Sequence, residues 1–231
     1  MIIHISGPSG SGKTTLGNKL KKRFGKQIVV KDLDDLRAEF VKKHYGGYDK
    51  IWGVGTGVEA LGKKKFKWDK NAYQKWIYDF INKQKKTIIF VGLNHMPWWN
   101  KKLYYDLKSD YNFYINISDD KIWEQKCLRF INDEFSIHRN VSAVGDAGGI
   151  KNVLKDIKKN EKKTISDLQK GLKFECGYNE MKKQNTIWNK DYKKQGYKFM
   201  TNDKIYKELL FLKDIRMLKP CAQDILLNKL I

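Results

Sequence analysis

Arginine is nearly missing from this chain. Five occur, Arg23, Arg37, Arg129, Arg139 and Arg216, and every other cationic side chain is a lysine. Cysteine is as sparse: Cys127, Cys176 and Cys221 are odd in number and widely scattered, with no CxxC pair and no Cys/His ligand spacing. These patterns exclude a disulfide framework and a zinc site, and point to a reducing, intracellular setting. The four histidines likewise lack metal-ligand spacing. No apolar run is long. Stretches such as TIIFVGL fall far short of the roughly 20 residues a bilayer crossing needs. A targeting segment is not expected, because a glycine-rich motif already begins at Gly7, so the expected location is cytoplasmic.

What is present in quantity is apolar and positive. With 231 residues, 41% of them hydrophobic and 13% aromatic, the chain can bury a sizeable core, which argues against disorder and for one large domain over residues 1–231. The net charge of +21 points to a polyanionic partner such as nucleic acid. A competing explanation is compositional. The lysines are spread along the chain among many asparagines and isoleucines, whereas a dedicated phosphate-binding surface favours arginine for its bidentate contacts. No membrane partner is expected.

Strand-like and helix-like stretches alternate. MIIHIS, QIVVKD, KTIIFVGL, YNFYINIS and GYKFMT read as strands. TTLGNKLKKRF, DDLRAEFVKKH, NAYQKWIYDFINKQ, SDDKIWEQKCLRFI, lysine-rich segments over about 150–195, and NDKIYKELLFL read as helices. Gly25 is expected to end the first helix, and Ser118 or Asp119 to cap the one after the fourth strand. This alternation predicts an α/β fold with a parallel sheet of about five strands covered by helices on both faces. Ligands of such sheets bind at the carboxyl ends of the strands. Gly7–Thr15, Lys31–Arg37, Gly92–Trp99 and Ser118–Asp120 are therefore expected at one edge.

The most specific feature is GPSGSGKTT at residues 7–15. Gly7, Gly12, Lys13 and Thr14 match G-x-x-x-x-G-K-[ST], with a strand before and a helix after. Glycines let successive N–H groups point inward around an anion, and the positive helix end assists. The motif predicts binding of ATP by Gly7, Ser9, Gly10, Ser11, Gly12, Lys13, Thr14 and Thr15. Lys13 would bridge the β- and γ-phosphates, the Thr14 hydroxyl would ligate Mg²⁺, and Thr15 would contact the α-phosphate.

This loop and helix, followed by a second strand ending in carboxylates, resemble the plan of the small P-loop kinases. That group includes nucleoside monophosphate, shikimate and gluconate kinases and the polynucleotide 5′-kinases. The resemblance covers roughly residues 2–140 in element order, and only the loop is a specific motif. It implies a three-layer P-loop NTPase fold with a lid, and ATP- and Mg²⁺-dependent phosphoryl transfer. Asp32-Leu33-Asp34 is similar to the D-x-D of shikimate-type kinases, with Asp32 on the metal side and Asp34 at the acceptor hydroxyl. Asp34-Asp35-Leu36-Arg37 is similar to the D-D-Y-R of polynucleotide kinases, with Asp34 as base and Arg37 gripping a substrate phosphate. The D-x-x-R of adenylate kinases agrees on Arg37. Capping of the second helix by Asp32, Asp34 or Asp35, and a plain ion pair for Arg37, are the alternatives.

The stretch Val91-Gly92-Leu93-Asn94-His95-Met96-Pro97 departs from adenylate kinases, which carry Asp-Gly and then Pro-Arg there. Asp32 thus becomes the better candidate for an indirect contact to Mg²⁺, and Asn94 and His95 are polar groups at the productive edge, with a structural role the alternative for His95. By resemblance, Arg129 and Arg139 would clamp the transferring group, with residues 133–149 as a lid loop. Arg129 lies off the apolar stripe of Trp123, Cys127, Phe130 and Ile131. Residues 45–69 would form an acceptor-side flap, with an irregular surface loop the alternative there and solvated side chains the alternative for Arg129 and Arg139, and Pro97-Trp98-Trp99 would either stack an acceptor base or belong to the core. The acceptor expected is a hydroxyl or phosphate of a nucleotide, nucleoside or nucleic-acid 5′-end. A small-metabolite kinase and a nucleotide-gated, nucleic-acid-binding ATPase are the alternatives.

Overall fold

The computed structural model describes residues 1–47, 68–95, 103–132, 178–212 and 215, with the backbone alone for 127–132. The expected flap at 45–69 (apart from its ends), Met96–Trp99, the lid loop at 133–149, Arg139 and the Arg129 side chain lie outside the described residues.

Five strands and six α-helices occur among those residues. In chain order they are β1 (Ile2–Ser6), α1 (Lys13–Phe24), β2 (Ile28–Asp32), α2 (Leu33–Tyr45), α3 (Lys70–Asn82) and β3 (Thr87–Val91). Then follow β4 (Tyr111–Ile115), α4 (Asp119–Asn132), α5 (Tyr178–Lys194), β5 (Lys198–Met200) and α6 (Asn202–Phe211). The sheet runs in the order β2-β3-β1-β4-β5. β1 is parallel to both β3 and β4, and β2 is parallel to β3. The chain is an α/β protein built on a parallel sheet, as the alternation predicts.

The chain groups into two compact units, one of Met1–Gly7, Lys13–Tyr114 and Asn202–Ile231, the other of Pro8–Gly12 and Ile115–Thr201. In the first unit the strand period of two sorts the sheet faces. Ile88 and Phe90 of β3 pack into a core with Leu36, Phe40 and Val41 of α2 and Tyr73 and Ile77 of α3. Phe40 is its centre, with the rings of His44, Tyr45, Trp68, Tyr73 and Trp76 all within 6.1 Å of its own. Burying one such ring contributes about 2–3 kcal/mol.

The opposite face meets α1. A Cβ added at Gly17 would lie 3.0 Å from Val30 Cγ1 and 3.1 Å from Val91 Cγ1, so this helix-interior glycine lets α1 sit against the sheet. Helix α6 packs on α1, with Lys19 Nζ 4.0 Å from the Tyr206 ring centroid. The first unit is thus three layers deep.

Helix ends follow local chemistry. α1 stops at Phe24, and Gly25, at φ +54°, opens the one-turn 3₁₀ helix Gly25–Gln27. Asp32 caps α2, accepting from the Asp34 N–H at 2.9 Å, and Gly46 closes that helix at φ +78°. In the second unit Ser118 caps α4 through the Lys121 N–H at 3.4 Å. Asp119 and Asp120 instead bind α5, taking hydrogen bonds from Asn185 Nδ2 (2.8 Å) and from the Tyr178 hydroxyl. β5 is shorter than its sequence suggests, three residues long, and the Asn116 N–H donates to the Met200 carbonyl at 2.8 Å.

Candidate functional site

The glycine loop joins β1 to α1, as expected. Gly7, Gly10 and Gly12 have φ of +151°, +86° and +87°, conformations that residues with a Cβ rarely adopt. Ser11 turns back to donate its N–H to the Pro8 carbonyl at 3.1 Å, and Ser9 is exposed while Ser11 is buried. Lys13 heads α1, and its Nζ donates to the Gly7 carbonyl at 2.8 Å, so the ammonium is folded across the base of the loop. Thr14 and Thr15, next in the first turn, are exposed. In the second unit the Gly10 Cα abuts α4, where an added Cβ would meet the Ile122 carbonyl at 3.4 Å.

The end of β2 reaches the same helix turn. The Thr14 hydroxyl donates to Asp32 Oδ2 at 3.3 Å, while Asp32 Oδ1 accepts the Asp34 amide of α2. Asp32 therefore caps α2, one of the roles the sequence offered, and with its other oxygen faces Thr14. Burial pushes its carboxyl above the ordinary value, the Asp34 amide opposes this, and the carboxylates of Asp34 and Asp35 add to it.

Asp34 projects from the first turn of α2 with its side chain 74% exposed, and its Oδ1 accepts from Arg37 Nη1 at 2.7 Å. Arg37 itself is only 4% exposed. Its Nη2 donates to the carbonyls of Leu93 (3.2 Å) and His95 (3.3 Å), joining α2 to the chain leaving β3. Reaching an acceptor phosphate from this position would require releasing some of these bonds.

The segment after β3 is tied down a second time. The Tyr105 N–H donates to the Asn94 carbonyl at 2.7 Å, Asn94 Nδ2 returns to the Tyr105 carbonyl at 3.0 Å, and His95 forms an antiparallel bridge with Tyr104. Asn94 and His95 are both buried, so neither side chain is open to solvent in this structure.

Three of the expected stretches, Gly7–Thr15, Lys31–Arg37 and the start of Gly92–Trp99, thus meet through Lys13, Thr14, Asp32, Arg37 and Gly92. Two participants had no individual role assigned from the sequence, although Gly92 opens one of the expected stretches. Gly92 (φ +122°) has little room for a Cβ, which would lie 3.1 Å from Leu33 Cβ and 3.3 Å from Asp32 Oδ1. Its signal was a glycine directly after a strand, a common mark of close backbone approach. His4, fully buried in β1, places Nε2 2.9 Å from the Gly92 carbonyl. Burial drives its pKa down to about 4 against the effect of that hydrogen bond, with Lys13 and His95 adding to the depression. Its signal was one polar residue inside IIHIS.

Among the described residues no group of three or more His, Cys, Asp or Glu could hold a metal by itself. Thr14 and Asp32 supply only oxygens, which suits Mg²⁺, an ion commonly held by one or two protein groups with waters and substrate phosphates. Among the described residues no helix is long and apolar enough to cross a membrane. Comparison with known proteins gives no matching family model and no matching curated protein.

Proposed function

We propose that the protein is an ATP- and Mg²⁺-dependent phosphotransferase of the P-loop kinase type, acting on a hydroxyl or phosphate of a nucleotide, nucleoside or nucleic-acid 5′-end. The observation that carries this reading is the meeting of Thr14 with Asp32 at the first turn of the helix that Lys13 heads, the turn that follows the positive-φ glycines in the chain. A carboxylate made costly by burial and by two neighbouring carboxylates gains most from a nearby cation, which is what a magnesium nucleotide brings.

In this reading Lys13 leaves the Gly7 carbonyl for the β- and γ-phosphate oxygens, and the loop amides cradle the remainder. Thr14 and Asp32 hold Mg²⁺, which when bound neutralises charge on the phosphates. Asp34, at the solvent edge of α2, accepts the proton of the attacking hydroxyl, and Arg37 keeps that carboxylate aimed. Arg129 and Arg139 remain the candidates for clamping the transferring group, with the lid at 133–149.

The test is ADP release across mononucleotides, nucleosides, 5′-OH oligonucleotides and small alcohols. At least one nucleotide-class acceptor should raise the rate, and Lys13→Ala should abolish it. Stimulation by small alcohols alone would favour a metabolite kinase. An acceptor-independent rate would favour an ATPase, and full turnover by Lys13→Ala would remove the loop from the reaction.

A further inference from the structure

His4 occupies the middle of β1, where Ile3 and Ile5 beside it are also fully buried. An imidazole costs hydration in such a place unless a partner replaces the water. That partner is the Gly92 carbonyl at 2.9 Å. A carbonyl only accepts, so Nε2 carries the proton and the ring is the neutral Nε2–H tautomer.

Gly92 is thereby gripped at both ends by one strand. Its N–H donates to the Ile5 carbonyl at 3.2 Å, and its C=O accepts from the His4 ring. The bare α-carbon between these bonds forms the wall beside Asp32, since the position of an added Cβ falls 3.3 Å from Asp32 Oδ1. The other oxygen of the same carboxylate meets Thr14. Two hydrogen bonds, His4 to Gly92 and Thr14 to Asp32, are thus joined where the bare Gly92 α-carbon leaves Asp32 its place.

We propose that His4 is a positioning residue for the metal-side carboxylate: through Gly92 it fixes where Asp32 stands relative to Thr14, and so sets the affinity for Mg²⁺ with nucleotide. This rests on the reading of Thr14 and Asp32 given above. Groups hydrogen-bonded directly to a metal ligand typically change metal affinity 10- to 100-fold when removed, and His4, which acts on Asp32 only through the packing of Gly92, should fall at or below the lower end of that range.

The experiment compares the full chain with His4→Gln, which keeps an N–H donor near the Nε2 position, and His4→Leu, which keeps bulk without a donor. Calorimetric titration with ATP, in Mg²⁺ and in EDTA, reads the metal-dependent gain in affinity. Amide exchange at Gly92 reads the grip itself. His4→Leu should lose about 10-fold of the metal-dependent gain and exchange faster at Gly92, with ATP affinity in EDTA unchanged and with His4→Gln restoring most of both. Gly92→Ala, which presses on Asp32 with His4 intact, should lose the same gain and keeps the test decisive should His4→Leu not fold.

A metal-dependent gain equal in wild type, His4→Leu and Gly92→Ala overturns the proposal. A wild-type chain that binds no ATP overturns the nucleotide reading itself. Faster exchange at Gly92 in His4→Leu would then still show the grip, without the metal role.

Discussion

Single side chains here carry two duties that usually fall to separate residues. Asp32 caps a helix and faces Thr14, and Arg37 pairs with Asp34 while joining two carbonyls beyond β3. Asp34 is the separable one: exposed, on a helix already capped by its neighbour. Asp34→Asn should therefore lower kcat by about 10²–10⁴ with ATP affinity intact, measured by steady-state kinetics and nucleotide titration. A collapse of ATP binding would make Asp34 structural instead. His4 makes a second prediction, about stability. Its pKa is about 4 in the folded chain against 6.5 as the ordinary value. The unfolded state thus binds the extra proton first as pH falls. Stability from this residue is whole above about pH 6.5, declines down to about pH 4, and is flat below, a total of about 3 kcal/mol. Asp32 acts in the opposite sense, since its raised pKa favours folding at low pH. The difference between wild type and His4→Gln in urea midpoints across pH 4–7 isolates the histidine. A constant difference would refute its burial in the neutral form.

At the scale of elements, closeness is bought with glycine. Gly17 inside α1 gives up about 1 kcal/mol of helix propensity relative to alanine, and in return the helix lies on Val30 and Val91. Gly17→Val should cost on the order of 2–3 kcal/mol through overpacking, read as a fall in Tm. An unchanged Tm would mean that α1 has room to lift. Elements were the most legible level of the sequence. Leu16, Leu20 and Phe24 at helical spacing gave α1, and the β-branched run TIIFV gave β3, because one buried face imposes its period on the residues. The run Leu103–Asp110 carried no such period and went unread. It is held by particular partners instead: Gln74 pairs with the backbone of Asp106 through both its amide atoms, the Tyr78 hydroxyl binds the Asp106 carboxylate, and the Trp68 indole binds the Tyr105 hydroxyl. The site divides along the same line. The glycine loop is contiguous and could be read, whereas His4 with Gly92, or Arg37 with Leu93 and His95, are partners 56 to 88 positions apart that only the fold brings together.

For the molecule as a whole, the charge of +21 makes salt dependence the measurement that separates classes of acceptor. If the acceptor is an oligonucleotide, kcat/KM should fall steeply and log-linearly with salt as bound counterions are displaced. A small acceptor should show little slope. Equal, shallow slopes for both would mark the lysines as solvated surface without a polyanion role. The two hydrogen bonds between Asn94 and Tyr105, one backbone to backbone and one from the Asn94 side-chain amide, have a different kind of consequence. They fasten the two ends of the span between them to a common point, with Arg37 bracing one end and the aromatic core the other. The chain leaving β3 and the chain approaching β4 therefore move as one, and a force that displaces either must break side-chain as well as backbone bonds to separate them.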